Sequence, residues 1–126
     1  MNKETAKKIL IIEDQNELAL SLSSLLESRG YTTAIANDGL QGKSKVQKEK
    51  VDLVILDLGL PAGGGFSVLE SLKRSTYTNS IPVIVLTAQQ GDELRNKVHG
   101  MGAQAFLNKP FNPEELLECV DRFIKK

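Results

Sequence analysis

Apolar residues along the chain fall into five short runs with amphipathic stretches between them. Ile9–Ile12, Thr32–Ala36, Val51–Asp57, Val83–Thr87 and Ala103–Leu107 are the runs, rich in Ile, Val and Leu. The most apolar of them show little alternation, which predicts strands covered on both faces, as in a parallel sheet. Between them the spacing is helical. Leu18, Leu22, Leu25 and Leu26 mark a first helix, stopped at Gly30 as a C′ residue. Asn37–Asp38 opens a second, with Asp38 and Gln41 spaced as a capping box. Its apolar face, Leu40 and Val46, is thin, so this helix is expected to be the least firmly held. Phe66, Leu69 and Leu72 mark a third helix, followed by a polar loop, Ser75 to Ser80; Leu94, Val98 and Met101 mark a fourth that starts near Asp92. Asn112-Pro113-Glu114-Glu115 opens a fifth, with an Asn cap, Pro at N1 and Glu115 at the capping-box position. Leu116, Leu117, Val120 and Ile124 are expected inside, and Arg122, Lys125 and Lys126 at the negative end of the helix dipole.

A strand–helix unit repeated five times predicts an α/β protein with a doubly wound, five-stranded parallel sheet. Right-handed crossovers give strand order 2-1-3-4-5, a flavodoxin-like (βα)5 three-layer sandwich. Length and composition change this picture little: 126 residues, 40% hydrophobic and 25% charged, suit a single domain over residues 1–126 with an ordered core of about 8–125. Sixteen basic and 16 acidic residues leave no net charge and no basic stripe, so nucleic acid is not an expected partner. No apolar segment approaches the roughly 18 residues of a membrane span, and the apolar run after Lys7–Lys8 is too short for a signal peptide. Cys119 has no cysteine to pair with; it reads as a small core residue of a cytoplasmic protein.

The chemistry gathers at strand ends. A buried run should not finish on an unpaired charge, yet the third run finishes on Asp57. Strand order 2-1-3-4-5 places Glu13 and Asp14, which follow strand 1, beside Asp57 at the carboxyl edge, where open α/β sheets bind ligands. Three neighbouring carboxylates repel one another, and a hard divalent ion, Mg²⁺, fits few carboxylates plus a phosphoryl oxygen. The loop Gly59–Gly65 can fold close over Asp57 and offer a carbonyl. Thr87 ends strand 4 and Lys109 follows strand 5 on the same rim. A Lys ammonium there suits a phosphoryl group or Asp57 itself, and Asp57 becomes a candidate nucleophile for an acyl phosphate. Singly, each residue reads as a cap, a strand end or a surface lysine; their common rim is what argues for a site.

The pieces ILIIEDQ, VDLVILDLGLP, IPVIVLTA and GAQAFLNKPF resemble the response-regulator receiver domain of bacterial two-component signalling, from Lys8 to Lys125. The resemblance implies that Asp57 is the phosphoacceptor. It implies Asp14 and Asp57 as direct Mg²⁺ ligands, Glu13 as a ligand through water, and the Gly59 carbonyl as the last protein ligand. Thr87 and Lys109 would contact the phosphoryl group, and Lys109–Pro110 would be a cis peptide. The donor would be a phosphohistidine on a sensor histidine kinase or a histidine phosphotransfer protein. Thr87 would then move toward the phosphoryl group and Phe106 turn inward, held by burial alone since it carries no hydroxyl. The surface of the fourth helix, fifth strand and fifth helix would change for a downstream protein target. The protein would be a monomer or a weak dimer through that surface. It would not be an enzyme beyond slow autodephosphorylation, and no output domain is expected in this chain.

Departures from the family pattern carry their own expectations. Glu13 stands where Asp is commoner and should shift a water-mediated contact. Gly63-Gly64-Gly65 lacks a side-chain cap and should loosen the loop before the third helix. Gly59 and Gln89 stand where the family tunes access of water to the acyl phosphate, and His99 should face solvent. Three other readings compete. A flavin-binding electron carrier needs a phosphate cradle after strand 1, where Glu13 and Asp14 would repel it. A phosphohydrolase with an Asp nucleophile commonly carries a second Asp at the place of Gly59. The alternative kept is a degenerate receiver acting as a phosphorylation-independent protein-docking module.

Overall fold

The structure, a computed structural model, describes residues 6–124. Five strands and five helices alternate: β1 Lys8–Ile12, α1 Asn16–Glu27, β2 Thr32–Ala36, α2 Gly39–Lys48, β3 Leu53–Asp57, α3 Gly64–Arg74, β4 Val83–Thr87, α4 Asp92–Gly100, β5 Ala105–Asn108 and α5 Pro113–Phe123. A 3₁₀ turn, Pro61–Gly63, leads into α3. The strands form one sheet in the order β2-β1-β3-β4-β5, every pair parallel. No helix among the described residues is long and apolar enough to cross a membrane.

Side chains alternate across each strand, and that alternation divides the core in two. Leu10, Ile12, Val54, Leu56, Val83 and Val85 face one side and pack with Val46 of α2, Val68, Leu69 and Leu72 of α3, and Val98 of α4. Ile9, Ile11, Leu53, Ile55, Ile84 and Leu86 face the other and pack with Ala19, Leu22 and Leu26 of α1 and Leu116, Leu117, Cys119 and Val120 of α5. Cys119 is thus the core residue expected. The expected strand bounds shift at three strands, and β1 gains Lys8 at its start. Strand β3 begins at Leu53, because Asp52 bonds both ways to Lys8: its carboxylate accepts from the Lys8 N–H and its own N–H donates to the Lys8 carbonyl, both at 2.8 Å. Strand β5 is Ala105–Asn108 rather than Ala103–Leu107.

Helix ends follow the local sequence. Gly30, at φ +88°, closes α1 through Gly30 N–H to Glu27 O and Tyr31 N–H to Leu26 O, the Schellman pair. Asp38 caps α2 by accepting from the Gln41 N–H at 2.8 Å, and Asn112 caps α5 by accepting from Glu114 and Glu115 N–H groups. Lys125 and Lys126, expected at the end of α5, lie outside the described residues.

Two expectations are corrected. Leu40 does not face the core: it is 81% exposed. The inward positions of α2 are Gly42 and Val46, and Gly42 rests so close to Ile12 that a Cβ there would stand 2.6 Å from its Cδ1. The glycine run before α3 is not simply a loosened cap. A Cβ on Gly65 would lie 2.6 Å from Leu58 Cα and 2.7 Å from the Asp57 carbonyl oxygen, so α3 presses its backbone onto the end of β3. The Gly65→Ala variant is expected to lose about 1–3 kcal/mol of stability by overpacking. The Gly64→Ala variant, whose Cβ meets only Leu60 at 3.4 Å or beyond, should be neutral or more stable by up to about 1 kcal/mol. Urea unfolding of the pair checks both.

Candidate functional site

Glu13 and Asp14 follow β1, Asp57 ends β3, Thr87 ends β4 and Lys109 follows β5, so the sheet order brings them to one edge. One carboxylate oxygen from each of Glu13, Asp14 and Asp57 lies within 4.8 Å of the others. Glu13 and Asp57 are buried, at 1% and 5% exposure, whereas Asp14 is exposed. The Lys109 ammonium sits between the two buried acids, 2.8 Å from Glu13 Oε1 and 3.5 Å from Asp57 Oδ2. The approach to Glu13 is close but off-axis, leaving Oε1 buried without an aligned hydrogen bond. The Lys109–Pro110 peptide bond is cis.

Backbone donors fix the carboxylates further. Gly59 N–H donates to Asp57 Oδ1 at 2.8 Å, and Gln15 N–H donates to Glu13 Oε2 at 3.1 Å. Burial pushes the Glu13 carboxyl above the usual carboxylate range; Lys109 and the Gln15 N–H oppose this, and the Asp57 charge adds to it. Two like charges at this separation repel by about 3 kcal/mol at the effective dielectric of a protein surface. One ammonium against three carboxylates leaves two negative charges uncompensated.

These residues fit a hard divalent cation. The donors are all oxygens, Glu13 Oε1 is a buried acceptor without an aligned donor, and exposed Asp14 keeps one side open to the waters such an ion retains.

Thr87 is 1% exposed, but its hydroxyl makes no hydrogen bond to Asp57; it accepts from the Gln89 N–H at 3.1 Å. The Gln89 carbonyl in turn accepts from the Asn108 side chain at 2.8 Å, which ties the loop after β4 to the end of β5. Phe106 lies beyond the carboxylate cluster, opposite Val85 in the sheet. Thr87 is two residues from Val85, so Thr87 and Phe106 project from the same face. Phe106 is already inward, at 7% exposure. Burial alone does not hold it, contrary to expectation: the Arg95 guanidinium lies over the ring, 4.9 Å from its centroid. Nothing in the sequence signals this contact, since Arg95 reads as an ordinary surface cation of α4. His99 is exposed, as expected.

Residues 9–121 match the family model described as the response regulator receiver domain. The chain belongs to that family. The cyanobacterial "DNA-binding dual master transcriptional regulator RpaA" of Synechocystis is 37% identical over 121 residues, covering 94% of this receiver domain and 49% of that protein. The phosphate regulon transcriptional regulatory protein PhoB of Escherichia coli is 31% identical, covering 96% of the chain and 53% of PhoB. The receiver domain therefore spans about half the length of the curated relatives it matches. Among solved structures, the chemotaxis protein CheY4 of Vibrio cholerae superimposes with a TM-score of 0.89 at 29% identity, over 95% of this chain and all of that one.

The uncompensated charge yields a direct test. Mg²⁺ should raise the melting temperature of the parent protein by mass action, whereas the Asp14→Ala variant should need at least about tenfold more Mg²⁺ for the same rise. In chelator, Asp57→Asn should melt above the parent, because one of two buried like charges is gone. Scanning calorimetry across a Mg²⁺ series measures both.

Proposed function

We propose that this receiver domain is a phosphorylation-driven signalling switch in which Asp57 takes a phosphoryl group from a phosphohistidine of a sensor histidine kinase or histidine phosphotransfer protein. The observation that carries the reading is the position of the Lys109 ammonium between Glu13 and Asp57, at a sheet edge that already holds three acids. Asp57 Oδ1 is taken by the Gly59 N–H, so Oδ2, on the Lys109 side, is the attacking oxygen. It forms a bond to phosphorus as the phosphorus–nitrogen bond breaks, and the electron pair returns to the imidazole. Glu13, Asp14, Asp57 and the Gly59 carbonyl would hold Mg²⁺, which when bound supplies positive charge against the transferring oxygens. Lys109 leaves its carboxylate partners for the phosphoryl oxygens and stabilises their charge. Water later attacks the acyl phosphate, restoring the Asp57 carboxylate and releasing inorganic phosphate.

Thr87 is the device that reads the new charge. Its hydroxyl can exchange its bond from Gln89 for one to a phosphoryl oxygen, and the loop after β4 follows because Gln89 is also tied to Asn108. The surface of α4, β5 and α5 is then presented to a downstream protein, or to a second copy as a weak dimer. Relatives named as transcriptional regulators carry a second half, and in such a setting the target of this surface would be that half.

Intact-mass spectrometry after acetyl phosphate and Mg²⁺ tests the reading. The parent should gain one phosphoryl group, and Asp57→Asn should gain none. A parent that gains none supports a phosphorylation-independent docking module instead.

A further inference from the structure

Helix α4 has a thin apolar seat, with Val98 its single fully buried residue and Leu94 half-buried. Two cations hold its flanks. Lys97 Nζ lies 4.5 Å from the centroid of Phe66 on α3, and the Arg95 guanidinium lies over Phe106 on β5. Arg95 makes no ion pair and no side-chain hydrogen bond among the described residues, so the Phe106 ring is its defined polar contact. Two open grooves flank it, about 500 Å³ toward α5 and about 270 Å³ toward the end of α4, and both are lined by Arg95 and Phe106. The guanidinium is therefore a cover over the ring with free space on either side.

We infer that Arg95 is a positioning residue that couples the seat of Phe106 to the seat of α4. The inference rests on the proposed role of Asp57 and names a regulator of that site. A cation over the face of a phenyl ring is attracted by its quadrupole, by an amount that shifts a two-state equilibrium about two- to fivefold at a part-exposed position. The inward ring is accordingly favoured before any phosphoryl group arrives, and it can swing out only when the guanidinium gives way. A partner carboxylate that captured the Arg95 guanidinium would remove the attraction and release the ring. Thr87 shares the Phe106 face, so the coupling runs from the partner surface through Arg95 and Phe106 toward the acidic edge. Reciprocity requires a ligand at that edge that favours the inward ring to strengthen the Arg95–Phe106 contact in return.

The test uses 4-fluorophenylalanine placed at position 106 of the full chain, with fluorine NMR reporting inward and outward rings. Arg95→Met keeps an apolar stem and loses the charge; Arg95→Lys keeps the charge. In the free protein, the inward-to-outward ratio should fall about two- to fivefold in Arg95→Met and less in Arg95→Lys. Beryllofluoride with Mg²⁺, a phosphoryl mimic, should restore the inward ring in Arg95→Met. A ratio in Arg95→Met equal to that of the parent overturns the coupling. Beryllofluoride that fails to restore the inward ring in Arg95→Met overturns the Asp57 reading, while the ratios in the free protein still decide the coupling.

Discussion

Two buried carboxylates, Glu13 and Asp57, share one ammonium, that of Lys109, while a third acid stands beside them at the solvent edge. That imbalance conditions the rest of the site. An acid as buried as Glu13 is stable only where partners meet its oxygens. Lys109 and the Gln15 N–H do so in part, and its carboxyl still titrates above the usual carboxylate range because burial outweighs them. A site so arranged favours positive charge, and in the proposed function its lysine would turn from carboxylates to phosphoryl oxygens without leaving the edge. Stability is given up at the edge where the proposed chemistry would occur.

The scaffold around this edge is correspondingly stiff. Strands β1, β3 and β4 are almost wholly buried on both faces, and α3 lies against the end of β3 with only Gly65 small enough to allow it. That close approach fixes the backbone at Asp57–Leu58, and the Gly59 N–H fixes one carboxylate oxygen. The neighbouring helix on the same face of the sheet is looser. Helix α4 has one fully buried residue and leans on two aromatic rings through cations. A rigid receiving edge beside a weakly seated helix is a physical layout in which a local charge event moves a surface rather than the core.

Much of this was legible in the residues. Uninterrupted Ile, Val and Leu in β1, β3 and β4 declared a parallel sheet, and helical spacing supplied the crossovers. The order of strands followed from chirality, and with it the meeting of Glu13, Asp14, Asp57 and Lys109. Strand ends were less legible at β3 and β5, because Asp52 bonds to the Lys8 backbone ahead of β3 and Gln104, whose side chain accepts from the Val83 N–H, stands ahead of β5. The phase of α2 was misread at Leu40 because the inward residue is Gly42, which carries no hydrophobic signal. The Gly59 and Gln15 donors are backbone groups, invisible to any reading of side chains. Arg95 over Phe106 joins residues on adjacent elements, and the choice of a ring over a carboxylate partner is set by tertiary packing alone.

The most direct measurement of the central claim is a crystal structure of the protein with Mg²⁺ and beryllofluoride. The account predicts beryllium bonded to Asp57 Oδ2, the cation among Glu13, Asp14 and Asp57, and the Lys109 ammonium moved from Glu13 to a fluoride. Beryllofluoride on another residue, a cation bound away from these acids, or Lys109 still paired to Glu13 would contradict it.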